Sequence, residues 1–116
     1  MANWTALPHQ NLIAYQVARE LVVLVRAAKI ADSKLRDQAM RAAMSVCLNI
    51  AEAVGRVSNA DKARVYGIAR GEACEAAAAI DVAAAAGYCS PESASGISSV
   101  GLRLYALLTA LSRKSC

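Results

Sequence analysis

Several residue types that build metal and catalytic sites are scarce in this sequence of 116 residues. It contains one histidine, His9, and its four cysteines include no CxxC pair, so the ligand spacing of a zinc site is missing and we expect no metal. The opening MANWTALPHQ lacks the basic and apolar regions of a secretory signal, which favours a reducing cytoplasm. In that compartment Cys47 and Cys74 are expected to be small core residues, and Cys116 a terminal thiol.

Long uncharged apolar runs are also missing, since Glu75, Asp81 and Glu92 interrupt the most hydrophobic part of the chain. We therefore expect no membrane-spanning segment and no membrane partner. A hydrophobic content of 57% excludes a disordered chain and predicts a single domain over residues 1–116. Phenylalanine is absent and alanine is abundant, so one copy has few large apolar side chains to bury, and we expect it to associate with itself.

Charge is unevenly distributed along the chain, whose formal net charge is +4. Residues 19–70 carry ten Lys or Arg against five acids, residues 71–102 carry four acids and no base, and residues 103–116 add three bases. In a helical hairpin this asymmetry favours head-to-tail association between copies, although solvated helix faces of uneven charge are the simpler explanation.

Apolar residues follow a helical periodicity, and the first helix is predicted at about residues 10–31. Ala14, Ala18, Leu21, Val25 and Ala28 recur at steps of three and four, which places them on one face. The run LVVLV within this segment would suit a strand, but helix-forming residues surround the run and neither Gly nor Pro bounds it.

Capping residues divide the remaining chain into three more helices, at about residues 34–54, 59–86 and 91–112. The starts are marked by N-cap residues and the ends by glycines: Asp32 or Ser33, Ser58 or Asn59, and Ser90 with Pro91 at the starts, Gly55 and Gly87 at the ends. Short turns and the absence of a strand pattern predict an all-α fold, an antiparallel up-down-up-down four-helix bundle.

Polar residues lie on one face of the second helix, within the run RAAMSVCLNIAEAVGR at residues 41–56. Four of them are 4, 3 and 4 residues apart, the step that returns to the same side of a helix. With two residues of the third helix they form a predicted structural seam: Ser45, Asn49, Glu52, Arg56, Arg70 and Glu75. Ion pairs of Glu52 with Arg56, and of Arg70 with Glu75, are expected to fix the register of the two helices.

Catalytic constellations are not found in the sequence. Glu52, Glu72 and Glu75 would meet across the second and third helices, where carboxylates of a bundle core bind two metals, but the Glu-x-x-His motif of such sites is absent. Phosphate-binding glycine patterns are absent as well. The sequence therefore predicts a protein without enzymatic activity and without a cofactor.

Basic residues cluster in the second helix, in the turn after it and in the first half of the third helix. Tyr66 is the only aromatic residue in that stretch, so phosphate contact with RNA or DNA would dominate over base stacking. The candidate nucleic-acid-binding residues are Arg36, Arg41, Arg56, Lys62, Arg64 and Arg70. In the same segment, Gly67 and Gly71 are expected to let another helix pack closely.

The run at residues 41–56 resembles the RAAxSIxxNIAEGxGR signature of a family of bacterial four-helix bundle proteins. Ser58, the IARG of residues 68–71, and Glu75 continue the likeness, and Tyr15-Gln16-x-Ala18 resembles the family's WQxA. The family includes proteins encoded in intervening sequences of large-subunit ribosomal RNA genes and, more distantly, the accessory variability protein of diversity-generating retroelements. The likeness covers nearly the whole chain.

The resemblance implies an antiparallel bundle that assembles into a pentameric ring. In the retroelement branch it implies a basic oligomer that engages nucleic acid and a reverse transcriptase, whereas most members have no assigned activity. The chain departs from the pattern at Tyr15, Ala53 and Glu72, and the last adds a negative charge beside the basic residues.

Two functional hypotheses follow from the residues and from the resemblance. The residues favour a non-catalytic homo-oligomeric scaffold or adaptor, whose protein partner is unknown. The alternative is a nucleic-acid-binding accessory protein that acts with a partner such as a reverse transcriptase, or on ribosomal RNA.

Overall fold

The chain folds as an antiparallel bundle of four α-helices, and the computed structural model describes residues 5–115. After a short 3-10 helix, Pro8–Asn11, the elements are α1 (Ile13–Ala27), α2 (Ser33–Gly55), α3 (Asn59–Ala85) and α4 (Pro91–Ser115). The predicted all-α bundle is confirmed. Cys116, predicted to be a terminal thiol, and the first four residues of the opening segment lie outside the described residues.

Three helix starts are fixed by the side chains that the sequence marks as caps. In each case an oxygen of the N-cap residue accepts a hydrogen bond from the backbone N–H three residues later: Asp32 from Leu35 at 3.0 Å, Ser58 from Asp61 at 3.1 Å, and Ser90 from Ser93 at 3.1 Å. These bonds satisfy amide groups that a helix N-terminus leaves without an intrahelical partner. The predicted starts of the last three helices are therefore within one residue of the observed ones.

The first helix is shorter than predicted, because it spans residues 13–27 and not 10–31. Lys29 takes a φ of 47°, the left-handed conformation that glycine usually supplies after a helix. Gly87 takes the same role after α3 with a φ of 82°, as its position in the sequence suggested. Gly55 remains helical, and α2 ends because Arg56 turns to an extended conformation.

The helices pack around a core that is rich in alanine. α3 lies against α2 and α4, and α1 lies against the same two helices, so α1 and α3 are diagonal in the bundle. The buried face of α3 consists of Val65, Tyr66, Ala69, Ala73, Ala76, Ala79, Ile80 and Ala83. Small side chains permit close helix contact, and Gly101 of α4 is buried where an added Cβ would stand 3.6 Å from the Cβ of Ala77.

Two predictions about α3 are wrong within the single chain. Gly67 and Gly71 are exposed and no neighbouring atom lies within 4 Å of an added Cβ, so no helix of the same bundle packs on them. Cys74 is exposed and not a core residue, whereas Cys47 is buried as expected. All three misplaced residues lie on the side of α3 opposite its buried alanines, and packing by a second copy stays a prediction.

One helix in the described part of the chain, Pro91–Ser115, is long and apolar enough to cross a membrane by length and composition alone. Ile97, Leu104 and Leu108 of this helix are fully buried in the bundle, whereas only 22% of its most apolar window is buried. The expectation that no membrane partner exists therefore stays a prediction.

Candidate functional site

The six candidate nucleic-acid-binding residues do not form one patch. Arg36 lies near the start of α2 and Arg56 caps its end, twenty positions away, which is about 30 Å along a helix. Arg36 is engaged at its own end of the bundle, where Nη1 donates to the carbonyl oxygen of Ile30 at 3.1 Å. Arg36 and Arg56 are therefore at opposite ends of the bundle, although the same helix carries both.

Arg56 is the centre of an ion-pair cluster at the turn between α2 and α3. Its guanidinium pairs with Glu52 one helical turn earlier, and with Asp61 in the first turn of α3 at 3.5 Å. Asp61 also pairs with Arg64 at 3.1 Å. The hydrogen bond to Glu52, and then the charges of Glu52 and Asp61, raise the pKa of Arg56. The predicted Glu52–Arg56 pair is confirmed.

Two further bases lie at this end of the bundle and were not among the candidates. Arg113 and Lys114 occupy the last turn of α4, where positive charge is favoured by the helix dipole. Ser112, just before them, donates from Oγ to the carbonyl oxygen of Ala63 in the first turns of α3 at 3.3 Å. The sequence offered a signal for this proximity: if α3 and α4 are antiparallel, the end of α4 lies beside the start of α3 and therefore near Arg56.

We call this region the basic end, and define it as Arg56, Lys62, Arg64, Arg113 and Lys114. It draws on three helices, since α2 and α4 end where α3 begins. Two acids, Glu52 and Asp61, neutralise part of it. Among residues 5–115, no acidic side chain lies within salt-bridge distance of Lys62, Arg113 or Lys114, so the basic end keeps an excess of positive charge.

Arg70 is committed to the neighbouring helix and does not belong to the basic end. Its Nη2 donates to the hydroxyl of Tyr105 at 2.8 Å, and its Nη1 donates to Thr109 Oγ1 at 3.2 Å. The predicted pair of Arg70 with Glu75 is therefore wrong. The side chains leave α3 in different directions, because Arg70 turns to α4 whereas Glu75 turns to α2.

Only some residues of the predicted polar seam connect α2 to α3. Asn49 Nδ2 donates to the carbonyl oxygen of Ser45 at 2.9 Å and to its Oγ at 3.0 Å, so this contact stays within α2. Glu75 crosses between the helices, because its Oε1 accepts from Gln38 Nε2 at 3.3 Å. The Arg56–Asp61 pair makes the second crossing.

A polar groove of about 690 Å³ lies between α2 and α3. It is lined by Lys34, Asp37, Gln38, Arg41, Ala42, Ser45, Glu72 and Glu75. Burial and then the adjacent Glu75 raise the pKa of Glu72, while Arg41 acts in the opposite direction. Arg41 thus faces carboxylates of its own chain.

The described residues hold no group of three or more His, Cys, Asp or Glu side chains arranged to bind a metal ion. The polar groove mixes two bases with three acids, of which Glu75 accepts from Gln38 and Glu72 lies near Glu75 and Arg41. This arrangement is that of a structural contact between two helices.

An apolar groove of about 390 Å³ lies on the other side of α2, against α1. It is lined by Tyr15, Arg19, Val22, Val23, Met44, Cys47 and Leu48. Leu48 and Val23 are 71% and 65% exposed, and with Met44 they form an exposed apolar patch. The sequence pattern did not single out this surface.

Comparison with known proteins adds one match. A family model described as 23S rRNA-intervening sequence protein matches residues 10–110, which includes α1, α2, α3, most of α4 and both grooves. No curated protein matches the chain.

Proposed function

Because the chain belongs to the 23S rRNA-intervening sequence protein family, we propose that it is a non-catalytic scaffold or adaptor that assembles from copies of itself. The observation that carries this proposal is the set of large apolar side chains left on the outside of the bundle. Leu102 and Val82 are 72% and 55% exposed, in addition to the residues of the apolar groove. Removing such surface from water stabilises an assembly by about 25 cal/mol per Å².

The alanine content of the core supports the same proposal. Alanine side chains bury little apolar surface, so the single bundle gains less from its core than a bundle built from leucine. Several leucine, valine and methionine side chains are exposed on the surface and not buried in the core, and a second copy would be able to cover them. We propose a ring of five, the size that the family resemblance implies, acting in the cytoplasm.

Light scattering coupled to size-exclusion chromatography tests the assembly. The expected result is a mass five times the 12.1 kDa of the chain. Another whole multiple would retain self-assembly and correct the number of copies. A mass of 12.1 kDa throughout the micromolar range would contradict the proposal.

The basic end favours a second candidate function, binding to the phosphates of RNA or DNA. Its five bases come from three helices to one end of the bundle, and three of them face no acidic side chain among the described residues. Several copies in a ring would bring several basic ends together, which multiplies the local positive potential. In this function the protein would be an accessory to a partner such as a reverse transcriptase, or would act on ribosomal RNA.

Fluorescence anisotropy with labelled RNA and duplex DNA at low salt tests the second function. Removing both charges in an Arg113→Gln/Lys114→Gln variant should weaken binding and lower the salt-dependence slope by about 1 per base removed. An Arg26→Gln/Lys34→Gln variant is the matched control, because it removes the same charge from the opposite end. Equal losses in both variants, or no association of the parent protein, would contradict a site at the basic end.

A further inference from the structure

The apolar groove between α1 and α2 is open to solvent along its length. Its apolar walls come from both helices, and three of its large side chains are exposed: Val23, Met44 and Leu48. In an isolated chain this surface would remain in contact with water, at a free-energy cost that grows with its area. An apolar surface placed over the groove would remove that cost.

The charge of the groove restricts what the occupant is. Arg19 is the one charged residue in its lining, and this side chain is exposed at the edge of the apolar surface. A surface that covers the groove must bring a negative charge to Arg19, or leave the guanidinium without a partner in a drier environment. The occupant is therefore apolar with an acidic margin.

The outward face of α3 has those properties. Five small residues are exposed on it, at spacings that place them along one side of the helix. We call them the strip: Gly67, Gly71, Cys74, Ala78 and Ala85. Nothing lies within 4 Å of an added Cβ at either glycine, so the strip is bare within the chain. An outward helix face is normally covered by long polar side chains.

Acidic residues border this strip. Asp81 is exposed at one edge of the strip, Glu75 lies at the edge nearer α2, where it accepts from Gln38, and the chain has no base between residues 71 and 102. The strip is thus flat, weakly polar and negatively charged at its edge, whereas the groove is concave, lined by large side chains and positively charged at its edge. The two surfaces are complementary in shape and in charge.

We propose that the groove between α1 and α2 of one copy receives the outward face of α3 from a second copy. The proposal rests on the self-assembly proposed above and names the surfaces that make it. Since α1 and α3 are diagonal in the bundle, the groove and the strip are different surfaces of one chain. A contact between two different surfaces is head-to-tail, so it repeats from copy to copy and closes a ring when the rotation between copies permits.

A Leu48→Asp variant tests the groove by light scattering. Leu48 is mostly exposed, so the substitution leaves the bundle core intact, and circular dichroism verifies the helices. The expected mass is that of one chain, 12.1 kDa. Val57→Asp is the matched control, because Val57 is an exposed apolar residue in the turn after α2 and should leave the assembly unchanged.

The possible outcomes distinguish the proposed contact surface from the more general proposal of self-assembly. A parent protein of 12.1 kDa would contradict self-assembly itself. An assembled parent whose mass is unchanged by Leu48→Asp would retain self-assembly and overturn the groove as its contact surface. Loss of assembly in both variants would also overturn the assignment, because the effect would then not be specific to the groove.

Cross-linking tests the strip independently. In a Leu48→Cys variant that retains Cys74 and has Cys47, Cys89 and Cys116 replaced by alanine, a short bismaleimide should join Cys74 of one copy to the new thiol of the next. The expected product is a ladder that extends beyond the dimer and disappears when Cys74→Ser is added. Cross-linked dimers that persist without Cys74 would show a groove-to-groove contact and overturn the proposal. An assembled protein that gives no cross-link would overturn it as well.

Discussion

The guanidinium of Arg70 on α3 lies over the ring of Tyr105 on α4, 4.4 Å from the ring centroid, and donates to the hydroxyl of the same tyrosine. A second hydrogen bond to Thr109 orients the guanidinium plane. Stacking and two directed hydrogen bonds together tie α3 to α4 in a way that a lysine ammonium does not reproduce.

Arg70→Lys should therefore lower the free energy of unfolding by about 1 kcal/mol, although the charge is kept. Tyr105→Phe keeps the ring and removes one hydrogen bond, so its loss should be smaller. Urea unfolding at a fixed protein concentration measures both, since assembly makes stability depend on concentration. Arg103→Lys, at an exposed position of α4, is the control. If Arg70→Lys lowers the free energy of unfolding no more than this control does, the contacts of Arg70 with Tyr105 and Thr109 do not stabilise the bundle.

The sequence was sufficient for the helices because their signals are local. Asp32, Ser58 and Ser90 cap the helices that follow them, and Gly87 ends the helix before it. The end of α1 was missed because Lys29 adopts a conformation for which glycine is the usual signal. The partner of Arg70 was missed because it depends on the rotation of α3 against its neighbours, which no local pattern encodes.

The candidate site was predicted less well for a similar reason. The sequence grouped Arg36 with Arg56 because both precede α3, yet the length of α2 separates them. It left out Arg113 and Lys114, more than forty positions after Lys62, because their proximity requires the antiparallel return of α4. Charge clustering in a helical bundle therefore follows the ends of the helices and not the order of the chain.

Gly101→Ala should stabilise the protein. The added Cβ would meet the Cβ of Ala77 at 3.6 Å, an ordinary van der Waals distance, while alanine is favoured over glycine in a helix interior by about 0.5 to 1 kcal/mol. Gly101→Leu should destabilise, because its longer side chain would force α3 and α4 apart. Urea unfolding of both variants measures the sign, and a loss of stability in Gly101→Ala would show that the two helices are closer than this distance indicates.

Glu72→Gln should raise the melting temperature at neutral pH. Burial and the neighbouring Glu75 raise the pKa of Glu72 in the folded protein, so the folded state binds the proton more tightly than the unfolded chain does. Its contribution to stability is thus fully present below the ordinary glutamate pKa and is lost as the pH rises through the raised value. Glutamine has no such dependence, so the variant should gain most at pH 7 and least at about pH 4.

Thermal unfolding at several pH values, with Glu20→Gln as the control at an exposed position of α1, measures this difference. The expected result is a difference in melting temperature between the Glu72→Gln variant and the parent that grows with pH. A difference that is the same at pH 4 and pH 7 would show that the charge of Glu72 is not what destabilises the polar groove.

Cysteine reactivity should report assembly without any cross-linker. Cys74 lies on the exposed outward face of α3, whereas Cys47 is buried beneath the apolar groove and burial raises its pKa, which lowers the fraction of reactive thiolate. In a monomeric Leu48→Asp variant, a maleimide should therefore modify Cys74 well before Cys47. In the assembled parent, Cys74 should become slow, because a neighbouring groove covers it.

Mass spectrometry of peptides from timed labelling reactions measures each cysteine separately. Cys89, which is partly buried near the turn after α3 and outside both proposed contact surfaces, is the internal control and should react at the same rate in the two proteins. Protection of Cys74 alone supports the contact between the strip and the groove. Equal rates at Cys74 in the assembled parent and in the monomeric variant would place the contact surface elsewhere on the bundle.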